Sequence, residues 1–276
     1  MADNVGVIGL GKMGLPMARH LAAKNFSVHA YDLDEKRRES AQAVGANIYA
    51  SPADVARVSD IVIVVVGFDN EVMEVVDGPG GLLSGARDGL VIAVASTVSI
   101  ETMHTIAALQ GVTARRIGVL DIPLCRGEPA AESGQLLLMA GGDAATFERC
   151  KPAFAAFAND QYLLGKLGSG QVGKMINNLL LWSCVSANHE GLKLGEALGV
   201  QSETLRQALL KSSGANWALE TWLQPRPMPW AEKDMAIVME EADNARLSLP
   251  LCGTVREVIK GIKIEKGLPP PPRVPK

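Results

Sequence analysis

The chain carries almost no excess charge: 27 basic against 30 acidic side chains leave a net charge of −3 over 276 residues. That balance gives no electrostatic footprint for nucleic acid or an anionic membrane. Long hydrophobic runs are missing as well. The longest, Ile61 to Val66, is far short of the about 20 residues that span a bilayer. Met1-Ala2-Asp3-Asn4 lacks the basic start of a signal peptide. Only Cys125, Cys150, Cys184 and Cys252 are available, widely and unevenly spaced and with no CxxC pair. Neither a metal site nor a disulfide framework is indicated, and a reducing, cytoplasmic compartment is expected. No internal repeat is present. What remains is a chain 47% hydrophobic and 21% charged, long enough for a sizeable core and two domains.

The chain is organised around Gly9-Leu10-Gly11-Lys12-Met13-Gly14. The apolar run Val5–Ile8 before it reads as a buried strand, and Leu15–Ala23 after it as a helix. Strand, glycine turn and helix are the context in which GxGxxG binds a dinucleotide. Gly9 allows the tight turn, Gly11 lets backbone approach a pyrophosphate, and Gly14 lets helix pack on strand. The N–H groups of the helix start, with Leu10 and Met13 beside them, would hold the phosphates. Phe26–Asp32 reads as a second strand ending in an acid. A carboxylate there accepts both hydroxyls of an adenosine ribose and repels a 2′-phosphate, which favours NAD over NADP. Alternatively Asp32 simply starts a turn, and Lys36, Arg37 and Arg38 could tolerate a phosphate.

Further along, Ser51 and Pro52 read as a helix cap and first turn. Ile61–Gly67 reads as a central strand, with Phe68-Asp69-Asn70 as the loop at its end. Leu90–Ala95, Val119–Asp121 and Gln135–Ala140 continue the strand series. Strands alternating with helices predict an α/β fold with a doubly wound parallel sheet over residues 1–164. From Ser169 to about Ala197 the pattern becomes one long helix, followed by helices near Ser202–Lys211, Ala231–Asn244 and Pro250–Lys263. Residues 165–268 are therefore expected to be all-α, and the proline-rich 269–276 an extended tail.

Three places could carry chemistry. Lys174 and Asn178 lie four residues apart on the long helix and share a face. A lysine partly withdrawn from water beside a cofactor can act as general acid or base, and Asn178 could orient a substrate oxygen. The alternative is a solvated lysine beside a structural pair, Asn177 and Asn178. The second place is Asp121-Ile122-Pro123-Leu124-Cys125-Arg126-Gly127, after a strand's C-terminal end, where ligands bind in such sheets. Arg126 could clamp an anion there, or be a surface charge. The third is Ser96-Thr97-Val98-Ser99, whose hydroxyls could cap a helix or contact the cofactor. His20, His29, His104 and His189 read as structural.

Four stretches, in order, resemble the β-hydroxyacid dehydrogenase family, which includes 3-hydroxyisobutyrate dehydrogenase and tartronate semialdehyde reductase. They are Gly9–Ala18 with Met13, Pro16 and Met17; Asp121–Gly127 with Ala131 and Gly134; Gly168–Asn178; and Lys233-Asp234-Met235. The resemblance covers roughly Val5 to Val258. It implies a fold in which a long helix joins a Rossmann domain to a helical one, as in 6-phosphogluconate dehydrogenase-like enzymes. It also implies an NAD-dependent dehydrogenase or reductase acting on a small anionic hydroxy acid or aldehyde, and a homodimer or homotetramer. Lys174 would be the acid/base and Asn178 would orient substrate, with Asn177 and Pro123, Leu124, Cys125, Arg126 and Gly127 lining its site. Thr97 would contact the nicotinamide ribose and Lys233 the cofactor. Where the family continues Ser-Gly-Gly this chain has Cys125-Arg126-Gly127, a change expected to raise the demand for an anionic substrate. An arginine there resembles the sulfolactaldehyde reductase branch, though without its neighbours. Two other classes share the architecture. Imine reductases usually replace the lysine, and silent interaction modules tend to lose it and add reader domains or basic linkers.

Overall fold

In the computed structural model, residues 4–226 and 228–271 are described. The first half of the sheet is built from β1 (Asn4–Ile8), β2 (Ser27–Tyr31), β3 (Asn47–Ile48), β4 (Ile61–Val64), β5 (Val91–Val94) and β6 (Gly118–Asp121). They lie in the order β3-β2-β1-β4-β5-β6, every neighbouring pair parallel. This is the doubly wound order of a dinucleotide-binding sheet. Between the strands run α1 (Gly14–Ala23), α2 (Glu35–Ala43), α3 (Pro52–Val58), α4 (Asp69–Asp77), α5 (Leu82–Gly85), α6 (Ile100–Ala108) and α7 (Gln110–Ala114). The wholly apolar strands are explained by burial on both faces. Ile61 and Ile63 of β4, with Val91 and Ala93 of β5, join one core cluster. Their alternating neighbours Val62, Val64, Ile92 and Val94 join a second. Period-two alternation thus feeds two cores, each covered by helices.

Beyond β6 the expectation of a parallel sheet fails. The chain forms β7 (Leu124–Cys125), α8 (Gly127–Ser133), β8 (Leu136–Gly142), α9 (Ala144–Phe154) and β9 (Ala158–Gly165). β8 runs antiparallel to both β6 and β7, and β9 is parallel to β8. Leu124 and Cys125, expected in a loop, are therefore strand residues paired with Leu138 and Leu137. Phe68-Asp69-Asn70, also expected as loop, instead opens α4 at Asp69. Glu71 causes this, because its Oε2 accepts the N–H groups of Gly67 at 2.7 Å and Phe68 at 3.1 Å. Ser51 does cap α3, with Pro52 in the first turn.

The long helix α10 spans Ser169–Ala197 as expected. It is followed by α11 (Ser202–Leu209), α12 (Trp217–Glu220), α13 (Ala231–Asn244) and α14 (Pro250–Glu265). Among the described residues no strand follows β9, and no helix is long and apolar enough to cross a membrane. The expected tail at 269–276 lies largely outside the described residues. By contacts the chain divides into units Met1–Lys174 and Met175–Lys276. The second is held by Trp182, Val185, Met235, Val238, Val255 and Ile259 with their neighbours.

One ionised pair is embedded in that helical core. Lys263 is 2% exposed, and its Nζ lies 2.8 Å from Glu232 Oε1. Removing one partner of such a pair strands a buried charge, at a cost of about 3–5 kcal/mol, whereas replacing both by apolar side chains is often neutral. Glu232→Ala should therefore lower the denaturant midpoint strongly, and Glu232→Leu with Lys263→Met should restore most of it. Equal losses in the single and double variants would contradict this.

Candidate functional site

At the end of β1 the backbone turns at Gly9 with φ of 93°, a left-handed conformation, and a side chain there would meet the carbonyl of Val65. In front of Gly11 the space is open, the nearest atom to an added Cβ being Arg37 Nη1 at 3.8 Å. No side chain caps the start of α1 at Gly14, so its N–H groups suit an anion. Leu10 is buried and Met13 packs against the same core.

Asp32 sits just past β2, 7% exposed. Its Oδ2 accepts Leu10 N–H at 2.6 Å, its Oδ1 accepts Asp34 N–H at 2.8 Å, and Arg37 Nη1 lies 3.6 Å from Oδ2. A carboxylate has about four lone-pair directions, so capacity remains for a pair of ribose hydroxyls. Arg38 is engaged elsewhere, donating to the carbonyls of Asp32 and Leu33. Open backbone at Gly11, an uncapped helix start and an anchored acid fit an adenine dinucleotide.

The loop after β5 is tightly tied. Ser96 Oγ accepts Val66 N–H at 2.8 Å, and Ser99 caps α6 by accepting Thr102 N–H. Asp69 Oδ2 accepts Ser99 N–H at 2.8 Å and the Thr102 hydroxyl at 2.8 Å. Thr97 stands in the middle of this loop.

Asp121 closes β6 and is fully buried. Its two oxygens accept Gly168 N–H at 2.7 Å and Gln171 N–H at 2.8 Å. Burial pushes this carboxyl above the usual range, and the backbone N–H groups oppose that rise. The start of α10 approaches so closely that a Cβ on Gly170 would strike the carbonyl of Met139 and come within 2.7 Å of Asp121 Oδ2. The glycines around Lys174 are thus demanded by packing.

Pro123, Leu124 and Cys125 are buried, while Arg126 and Gly127 are exposed. Burial raises the Cys125 thiol, and the charges of Lys174 and Arg126 offset part of that rise. The structure thereby brings Lys174, half-buried, to the end of the β6–β7 segment. Among the described residues no carboxylate pairs with its ammonium. Arg126 adopts φ of 82°, and its guanidinium has partners already. It lies 2.7 Å from Asp160 Oδ2 and donates to Asn159 Oδ1 at 3.1 Å and the carbonyl of Gln135 at 3.2 Å. An incoming anion would have to share it with Asp160.

In the helical unit, Asn178 is buried and its Oδ1 accepts from Asn177 Nδ2 at 3.1 Å, which leaves its own amide N–H groups to donate. Lys233 lies over the Trp230 ring, 5.5 Å from its centroid. The four histidines have structural neighbours: Ala131 and Glu132 carbonyls for His20, Tyr49 and Asn4 for His29, the Leu167 carbonyl for His104, and Glu265 for His189. No cluster of His, Cys, Asp and Glu among the described residues could hold a metal. The sequence alone assigns no role to Glu71, Asp160 or Gln171, and it places Asp69 only as part of a loop. Gln171 carried a signal, being a lone amide among the glycines of the helix start.

The family model for the NAD-binding domain of 6-phosphogluconate dehydrogenase matches residues 4–168. The model described as NAD-binding of NADP-dependent 3-hydroxyisobutyrate dehydrogenase matches residues 168–268. The chain is 32% identical over 270 residues to 2-(hydroxymethyl)glutarate dehydrogenase of Eubacterium barkeri, covering 93% of this chain and 88% of that one. It is 32% identical over 242 residues to the NAD-dependent L-serine dehydrogenase of Pseudomonas aeruginosa, covering 88% and 77%. Its fold superposes on that of 3-hydroxyisobutyrate dehydrogenase from Mycobacterium tuberculosis with a TM-score of 0.87, at 23% identity over 96% and 95% of the two chains. With a dinucleotide sheet, an anchored acid and a glycine-packed helix bearing Lys174, the chain belongs to the β-hydroxyacid dehydrogenase family and is an NAD-dependent hydroxyacid dehydrogenase.

Proposed function

We propose reversible hydride transfer between nicotinamide and the carbinol carbon of a small hydroxy acid bearing a carboxylate or sulfonate, or its semialdehyde, with Lys174 as general acid/base. The observation that supports it most is the half-buried ammonium of Lys174, without a carboxylate partner among the described residues and close enough to Cys125 for its charge to act on the thiol. NAD, when bound, accepts or returns the hydride. In oxidation Lys174, deprotonated, takes the hydroxyl proton. In reduction its ammonium gives a proton to the carbonyl oxygen. Asn178 donates to that oxygen, with Asn177 fixing the amide's orientation. Asp32 binds the adenosine ribose, Gly9, Leu10, Gly11, Met13 and Gly14 receive the pyrophosphate, and Thr97 and Lys233 serve the cofactor.

Pro123, Leu124, Cys125, Arg126 and Gly127 shape the substrate side, with Arg126 holding the anion while anchored by Asp160. The compartment we infer is the cytoplasm, in keeping with four free cysteines. The assembly we infer is a homodimer or homotetramer. Leu180 and Leu194 of α10, exposed by 60% and 61%, and Leu198 just past its end, exposed by 74%, support it.

Lys174→Ala should lower kcat by about 10²–10⁴-fold, the usual weight of a general acid/base, while NADH still binds by fluorescence titration. Near-normal turnover overturns the assignment. For Asp32, kcat/KM should be higher with NAD than with NADP, and Asp32→Asn should narrow the gap because the charge that repels a 2′-phosphate is lost while Arg37 keeps only the half-exposed Asp34 as its partner. A wild type that prefers NADP refutes the ribose role. Arg126→Gly should raise KM for the anionic substrate with little change in kcat. If KM stays constant for every carboxylate and sulfonate tested, Arg126 does not touch the substrate.

A further inference from the structure

Gln171 is 2% exposed, and a buried amide is costly unless both of its ends are satisfied. Its Oε1 accepts Val98 N–H at 3.2 Å and its Nε2 donates to the Ser96 carbonyl at 2.8 Å. These two groups flank Thr97, so one side chain grips the backbone on both sides of that residue. The main-chain N–H of Gln171 goes to Asp121 Oδ2 at 2.8 Å. Ser96 in turn takes Val66 N–H through its hydroxyl. Gln171 is thus tied to the ends of β5 and β6, and through Ser96 to the end of β4. Lys174 lies three residues further along the same helix, on a neighbouring position of the same face.

We propose that Gln171 is a positioning residue, setting the separation between the cofactor-side loop at Thr97 and the proton-transferring ammonium of Lys174. This rests on the roles assigned to Lys174 and Thr97 above. A packing role alone would need only an apolar side chain of similar volume. The amide instead spends both ends on one loop, outside any strand ladder, where a small displacement changes the reacting geometry. A misplacement of about 1 Å costs on the order of 10²-fold in rate.

The test compares Gln171→Met, Gln171→Glu and Lys174→Ala in the full chain, with active sites counted by NADH fluorescence. Gln171→Met keeps the volume and loses both hydrogen bonds. It should lower kcat by about 10–10²-fold, leave the NADH dissociation constant within a few-fold, and raise the primary deuterium isotope effect from 4-deuterated NADH. Gln171→Glu keeps the acceptor but turns an oxygen toward the Ser96 carbonyl. Only its protonated form supplies the donor, so its activity relative to wild type should rise as pH falls. Wild-type kcat and isotope effect in Gln171→Met, with Lys174→Ala inactive, overturn the positioning role. If Gln171→Met does not fold, a pH-independent ratio for Gln171→Glu overturns it. Retained turnover in Lys174→Ala instead removes the reading on which the proposal stands.

Discussion

The buried carboxylate of Asp121 takes two N–H groups from the start of α10, and the placement of Lys174, the proposed acid/base, depends on that junction. A carboxylate without water is costly, and here it is held by the N–H groups of a helix beginning, the groups best suited to it. The glycines at 170 and 173 follow, because the helix must come down onto Met139 of β8 and Asp121 closely enough for those bonds to form, and Gly168 takes the left-handed turn that leads into it. Lys174 is carried to the rim of the sheet by this packing. The same junction recruits Gln171, which reaches back to the loop after β5. Strand end, helix start and loop are therefore one hydrogen-bonded unit, and rigid support of this kind gives a catalytic group a defined geometry.

The dinucleotide half was legible because its requirements are local. A tight turn, a close backbone approach and an anchored acid each demand one residue type at one position, and Gly9, Gly11 and Asp32 meet them. The wholly apolar strands announced a sheet covered on both faces, and the alternation of Ile61, Val62, Ile63 and Val64 between two cores is that prediction realised. The direction of β8 was not legible. Leu136 to Gly142 has the same apolar pattern in either direction, and its direction is set by long-range pairing, antiparallel to both β6 and the intervening β7. α4 starts at Asp69 because Glu71 caps the N–H groups of Gly67 and Phe68, a side-chain choice that composition does not reveal.

Arg126 shows where sequence reasoning about a site reaches its end. Its type and position suggested an anion clamp, and the long-range partner that competes for it, Asp160 on β9, is set only by the fold. The left-handed backbone at Arg126 adds a cost of roughly 1–3 kcal/mol that the surrounding structure must offset. A glycine there would avoid that cost, so the acidic anchor is part of what holds the arginine in place.

Everything proposed for this chain converges on reversible hydride transfer between NAD and a small anionic hydroxy acid. The most direct test mixes the purified protein and NAD with a panel of carboxylate- and sulfonate-bearing hydroxy acids, alongside secondary amines, and follows NADH absorbance. Turnover with at least one hydroxy acid and none with the amines is expected. Oxidation of amines alone, or NAD binding without turnover of any panel member, would contradict it.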